Sequence, residues 1–171
     1  ITAEQGSVKF VATPHPGEGV FAPTGNVILG DTTVTAKQDL DIVGVHVETL
    51  GGQFASGGDM TIGNVDPDAA GVPVTKTVDM TGTAVNTDGN LTVKATDRVV
   101  LAEKVPVRSG QDITVYSNGE AVLDADLVAQ GNVSVKTENT DKTKDMIVVL
   151  GNIESQGGSV TLESDTIDII K

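Results

Sequence analysis

The chain has 171 residues, with 24 acidic side chains against 11 basic ones and a formal net charge of -13. That balance argues against nucleic acid and anionic membrane surfaces as partners, because neutralising phosphate needs a basic patch and the Lys and Arg residues are scattered singly. A hydrophobic content of 38% is too high for disorder and sufficient for a slim core; no apolar run approaches the length of a membrane-spanning helix, and cysteine is absent.

From the first residue onward one short pattern returns: an apolar residue, a polar turn rich in Gly, Asn, Asp, Ser and Gln, then apolar-polar-apolar. The copies read ITAEQGSVKF from Ile1, FAPTGNVIL from Phe21, FASGGDMTI from Phe54, VNTDGNLTV from Val85, VRSGQDITV from Val107, VAQGNVSV from Val128 and IESQGGSVTL from Ile153. Their starts are separated by 20, 33, 31, 22, 21 and 25 residues, so one unit is close to 21 residues and two intervals carry extra chain. A period in this range marks a repeat architecture, whose units are too small to bury an apolar face alone and must stack.

Within each copy the alternation has period two, as in Met60-Thr61-Ile62, Leu91-Thr92-Val93 and Ile113-Thr114-Val115, which predicts strands with one face buried. Further short strands are expected over 33–36, 39–43, 45–50, 99–102, 121–123, 146–150 and 166–170. Two or three strands per unit joined by Gly-rich turns suffice for one triangular turn of a solenoid. No helical periodicity is present, and Thr, Val, Gly and Asp dominate throughout.

Short strands with regular turns also describe an antiparallel sandwich. A sandwich has no reason to repeat one pattern at every second or third strand, whereas a parallel coil sets each copy above its predecessor. With three Phe, one Tyr and no Trp, a wide sandwich core would also lack filling. The fold class predicted is therefore all-β, a right-handed parallel β-helix of about seven coils with one or two extruded loops or hairpins. Residues 1–171 form a single segment of it. At about 4.8 Å per coil the rod would be near 34 Å long. Leu91, Ile113 and Val133 should share one interior column. Outward positions Lys9, Ile28, Thr61, Thr92, Thr114, Ser134 and Thr161 should form another, with hydroxyls bonded to like neighbours. The next outward residues, Ala12, Gly63, Lys94, Tyr116, Lys136 and Glu163, are mixed, which does not suit an ice-type lattice surface. Residues 63–76, with Pro67 and Pro73, should leave the coil, and 37–50 should add strand-like material. Both ends carry ordinary repeats, and the expectation is that the coil continues beyond them.

GNVIL, GGDMTIGN, DGNLTVKA, SGQDITV, QGNVSVKT and SQGGSVTLES resemble the repeats of filamentous haemagglutinin-type exoproteins, the large bacterial surface adhesins and toxins exported by two-partner secretion. The likeness runs over essentially the whole chain, although each copy is degenerate and no Asn-Pro dipeptide is present to match the family's secretion motif. It implies a shaft segment of a secreted, cell-surface adhesin. Its partners would be neighbouring repeats, an outer-membrane transporter during export, and a host-cell or surface receptor or glycan.

Chemistry-bearing constellations are sparse. His15 and His46 lack partners at ligand spacing and read as surface residues. Acidic pairs such as Asp39 with Asp41, Asp66 with Asp68 and Asp124 with Asp126 could share a strand face and hold a hard cation, but a solvated acidic face accounts for them. Asn90 and Asn132 match the glycosylation pattern while sitting where a turn favours Asn. A carbohydrate-active β-helix enzyme would need convergent carboxylates with Arg, and only Arg98 and Arg108 are available. No catalytic, cofactor-binding or metal residue is assigned, no cofactor is expected, and the chain is read as a non-enzyme, with a carbohydrate-active enzyme or polysaccharide-binding module as the alternative.

Overall fold

The computed structural model describes residues 1–12, 25–141 and 143–170. Among them the chain forms 21 strands and no helix. The strands build three seven-stranded sheets, all parallel, and each successive strand in a sheet is the third along the chain. This is a β-solenoid of seven strand layers separated by about six turns, a height of about 29 Å at the usual strand spacing. Sheet A contains Thr2–Ala3, Thr33–Ala36, Gln53–Ser56, Ala84–Thr87, Pro106–Ser109, Asp126–Ala129 and Ile153–Ser155. Sheet B contains Val8–Val11, Leu40–Val43, Met60–Ile62, Leu91–Ala95, Ile113–Ser117, Val133–Thr137 and Val160–Glu163. Sheet C contains Asn26–Gly30, His46–Leu50, Thr77–Asp79, Arg98–Leu101, Glu120–Leu123, Met146–Val149 and Thr166–Ile169.

The period-two pattern selects what lies inside. Val8, Leu40, Met60, Leu91, Ile113, Val133 and Val160 stand one above the other in sheet B, so the expected column of Leu91, Ile113 and Val133 is borne out and extends through all seven layers. Facing it from sheet A are Val34, Phe54, Val85, Val107 and Leu127, and from sheet C Val47, Val78, Val99, Ala121 and Ile147, all buried. A triangle of this width is filled by Val, Ile, Leu and Ala, with Phe54 as its one buried aromatic among the described residues.

The register corrects one repeat. The second copy is not FAPTGNVIL from Phe21 but the run VTAKQDLDIV from Val34: Val34 pairs with Phe54 and Leu40 with Met60. Phe21 lies outside the described residues, and Val27 to Leu29 belong to sheet C, where Val27 stacks on Val47. Ile28 therefore leaves the outward column of sheet B, and Asp41 takes its place between Lys9 and Thr61. Residues 37–50 are consequently ordinary coil, with a turn, a sheet B strand and a sheet C strand, and not added material.

The corner between sheets A and B explains the polar turn of each copy. The residue just before each sheet B strand, in order Ser7, Asp39, Asp59, Asn90, Asp112, Asn132 and Ser159, forms a ladder in which each side-chain oxygen accepts the backbone N–H of the next. The Asn rungs also donate Nδ2 to the Asp below, Asn90 to Asp59 at 3.2 Å and Asn132 to Asp112 at 3.3 Å. Rungs preceded by Gly are short: the N–H of Asp59, Asn90, Asn132 and Ser159 reach their acceptors at 2.9, 2.8, 2.7 and 3.0 Å. Rungs preceded by Gln38 and Gln111 are longer, 3.2 and 3.3 Å. The reason is steric, since a Cβ at Gly158 would lie 2.5 Å from Asn132 Oδ1, and one at Gly131 would collide with Asp112 Oδ1. Behind this ladder runs an inner one, where Thr87, Ser109 and Ser155 donate their hydroxyls to the turn carbonyls of Gly58, Gly89 and Gly131 one coil below, at 2.5, 2.7 and 2.7 Å. Buried backbone acceptors at the corner are thereby satisfied in a chain that turns sharply at every layer.

Candidate functional site

Connections across the corner from sheet B to sheet C have either two residues or many more. Gly44-Val45, Thr96-Asp97, Asn118-Gly119 and Ser164-Asp165 are the short ones, whereas among the described residues 63–76 and 138–145 leave the coil at the same corner. The expected excursion at 63–76 is borne out as a loop without strands. Its neck is tied by Thr75 N–H to the Asn64 carbonyl at 2.6 Å and by Asn64 N–H to Thr75 Oγ1 at 3.0 Å, while Asp66, Pro67, Asp68, Ala70 and Gly71 at its tip are exposed. The loop over 138–145 is an excursion that the sequence pattern does not single out. Its signal was the interval between Val128 and Ile153, which at 25 residues exceeds the bare unit.

At the root of that second loop Asp145 is buried. Thr137 Oγ1 donates to its Oδ1, Ser164 Oγ donates to the same oxygen at 3.1 Å, and Asn139 N–H reaches Oδ2 at 3.4 Å. Desolvation raises the Asp145 pKa, but these hydrogen bonds together with one from the Asp165 backbone outweigh it and hold the carboxyl below its ordinary value. Between the loop and the corner lies a groove of about 610 Å³, lined by Thr96, Asp97, Arg98, Glu120, Lys144 and Met146 among others. Arg98 Nε is committed there to Glu120 Oε2, one coil above, at 2.7 Å. Arg98 is thus held through Nε in a partly exposed ion pair, and Arg108 stands apart from it, exposed on sheet A.

The outer face of sheet B carries a different arrangement. Thr61, Thr92, Thr114, Ser134 and Thr161 are in register, as expected, but their hydroxyls do not bond to one another. Among the described residues none of these five side chains makes a hydrogen bond, whereas the inward hydroxyls of Ser56, Thr87, Ser109 and Ser155 are all spent. The β-branched preference accounts for the strand, not for the retained hydroxyl. The neighbouring column is Lys94, Tyr116, Lys136 and Glu163. Lys136 Nζ is 3.2 Å from Glu163 Oε1 and 3.5 Å from Glu138 Oε2, and these carboxylates, Glu163 first, hold its pKa above the usual value. Burial raises the Tyr116 pKa, Glu138 adds to the rise, and Lys136 opposes it, so the phenol stays neutral. Lys94 has no ion pair among the described residues.

The remaining candidates disperse. His46 is half-buried on the outer face of sheet C and its Nδ1 is 2.8 Å from Thr77 Oγ1 on the next coil; His15 lies outside the described residues. Asp39 is a ladder acceptor while Asp41 is on the sheet B face. Asp66 and Asp68 sit at the loop tip, where Asp68 N–H bonds Asp66 Oδ1 at 2.9 Å. Asp126 Oδ1 accepts from Asn152 Nδ2 at 2.8 Å, and Asp124 Oδ1 is buried without a partner. Among the described residues no group of three or more His, Asp or Glu could hold a metal ion. Asn90 and Asn132 are ladder rungs, which accounts for Asn there. Among the described residues no helix is long and apolar enough to cross a membrane. Comparison with family models, with curated proteins and with solved structures finds no match to this chain.

Proposed function

We propose that this chain is a shaft segment of a secreted bacterial surface adhesin of the two-partner-secretion type, a non-catalytic rod that presents binding regions to host cells or other surfaces. The observation that carries the reading is the division of labour in the fold. Seven in-register layers are locked by side-chain ladders, and among the described residues both long excursions, 63–76 and 138–145, leave through one corner, so a stiff scaffold displays loops along a single edge. The engagement of Arg98 with Glu120, and of the corner carboxylates with backbone N–H groups, supports a structural use of the residues a hydrolase would need free. The net charge of -13 supports protein or glycan partners over nucleic acid. The test is adhesion of the purified chain, displayed on beads, to cultured cells and abiotic surfaces, alongside a depolymerisation assay on a polysaccharide panel. Bead adhesion lost on shortening the 63–76 or 138–145 loop supports the reading. Beads that do not adhere, or release of oligosaccharide products, would overturn it.

A further inference from the structure

We propose that the outer face of sheet B is a platform for an extended, neutral polysaccharide, laid along the rod axis with sugar rings over Tyr116 and sugar hydroxyls paired to the column of Thr92, Thr114 and Ser134. This deepens the adhesin reading by naming the chemical class of the ligand.

The hydroxyls are the first ground. A Thr or Ser hydroxyl can donate once and accept twice, and on this face that capacity is retained five times over in one straight line, beside inward hydroxyls that are all used. Spacing is the second. Successive rungs are about 4.8 Å apart, close to the length of one pyranose ring in an extended chain, so each ring meets an equivalent rung and weak contacts add along the polymer.

The third ground is the adjoining column. The chain has one tyrosine, and it stands in the middle of the rod, half-exposed, with Lys94 one coil below and Lys136 one coil above. An aromatic ring with a polar tip offers the flat apolar face that a sugar's C–H side stacks on, and flanking ammonium groups supply hydrogen-bond donors to ring and hydroxyl oxygens. The loops over 63–76 and 138–145 leave the rod in the third and sixth layers, on either side of the layers holding Lys94 and Tyr116, and so bound this stretch at its two ends.

Charge decides which polysaccharide. Lys136 is already matched by Glu138 and Glu163, Asp41 in the second layer offsets Lys9 in the first, and the whole molecule is strongly acidic, so a polyanion is repelled at range. A lattice such as ice requires a second uniform column, which the Lys, Tyr and Glu residues break.

The experiment is affinity electrophoresis of the whole chain in gels containing hydroxyethyl cellulose or glucomannan as extended neutral probes, dextran as a coiled one and alginate as an anionic one. Retardation is expected with the extended neutral probes, unchanged when ionic strength rises from about 0.05 to about 0.5 M. Tyr116→Ala should weaken it about tenfold, the size of a stacking contribution, while Tyr116→Phe stays within about twofold. The double variant Thr92→Val, Thr114→Val keeps β-branched side chains on an outward face and should weaken binding about fivefold with unchanged circular dichroism. No retardation by either extended probe, equal retardation of wild type and the Tyr116→Ala and double-Val variants, or binding to alginate alone that salt abolishes would each overturn the proposal. Cell adhesion without polysaccharide binding removes this inference and leaves the shaft reading standing; polysaccharide binding without cell adhesion does the reverse.

Discussion

Asp112 is the rung on which the corner ladder can be tested most cleanly. Its Oδ1 accepts the Asn132 N–H at 2.7 Å and Asn132 Nδ2 at 3.3 Å, and its own N–H donates to Asn90 Oδ1 at 3.3 Å. Asp112→Ala removes the acceptor and keeps the donor. A hydrogen bond to a charged group contributes about 1.5–3 kcal/mol, and because Asn132 is exposed, water recovers part of it, so the loss should be about 1.5 kcal/mol. For a chain of this size that corresponds to a fall of about 3–6 °C in Tm. Asp112→Asn retains an oxygen in the same place, exchanges a charge-assisted bond for a neutral one, and should cost about 0.5 kcal/mol. Calorimetry gives the totals, and amide exchange gives the location: Asn132 N–H should exchange faster in Asp112→Ala and be nearly unchanged in Asp112→Asn, with distant rungs unaffected because stability in a repeat array is built from nearest-neighbour interfaces. If the Ala and Asn variants melt together, or if Asn132 exchange is the same in the Ala variant as in the wild type, the side-chain ladder does not hold the corner and the argument fails.

Ile113→Asp should cost several kcal/mol and leave most molecules with a melted middle, because Ile113 is wholly buried in an apolar column and an unpaired charge would find no partner there; a circular dichroism melt within a few degrees of wild type would contradict this. Deleting residues 66–71 removes exposed loop tip beyond the Asn64 and Thr75 neck, so the melting temperature should move by only a few degrees, and a cooperative collapse would show the loop to be part of the rod. Asp145 has a folded-state pKa below its ordinary value. Its contribution is therefore full above the usual carboxylate range, near pH 4, and is lost as pH falls through the lowered value. The stability gap between wild type and Asp145→Asn should accordingly be widest near neutrality and narrow below about pH 4, and a gap independent of pH would show that the carboxylate charge is not what the hydroxyls hold.

Period, strand alternation and the inward columns were legible in the sequence because they depend only on neighbours one repeat away. FAPTGNVIL imitates a copy because a turn Gly followed by apolar residues also precedes the sheet C strand at Asn26, and the pattern does not say which corner it turns. The true second copy is masked in the sequence because Gln38 stands where most copies have Gly. Gln38 sits above Ser7, whose hydroxyl accepts the Asp39 N–H at 3.2 Å, whereas Gly131 has the Asp112 carboxylate against it. Which residue lies beneath each corner, 20 or more positions away in the chain, only the register reveals. The same holds for the outward hydroxyls: their column could be read, but that they bond to nothing within the chain could not.

The two faces of one strand show how the fold separates holding from presenting. Along sheet B the inward residues are apolar, the rung before each strand is consumed by the coil above, and the hydroxyl after the first core residue is left free in every layer from Thr61 to Thr161. A solenoid can keep such a face open because the ladders at its corner and the backbone pairing within the sheet already satisfy the groups that must be satisfied. Its outward side chains contribute little to stability and are free to differ. Five of seven are nonetheless hydroxyls, with the chain's only tyrosine beside them, and the proposed polysaccharide is a ligand that would use both columns at once.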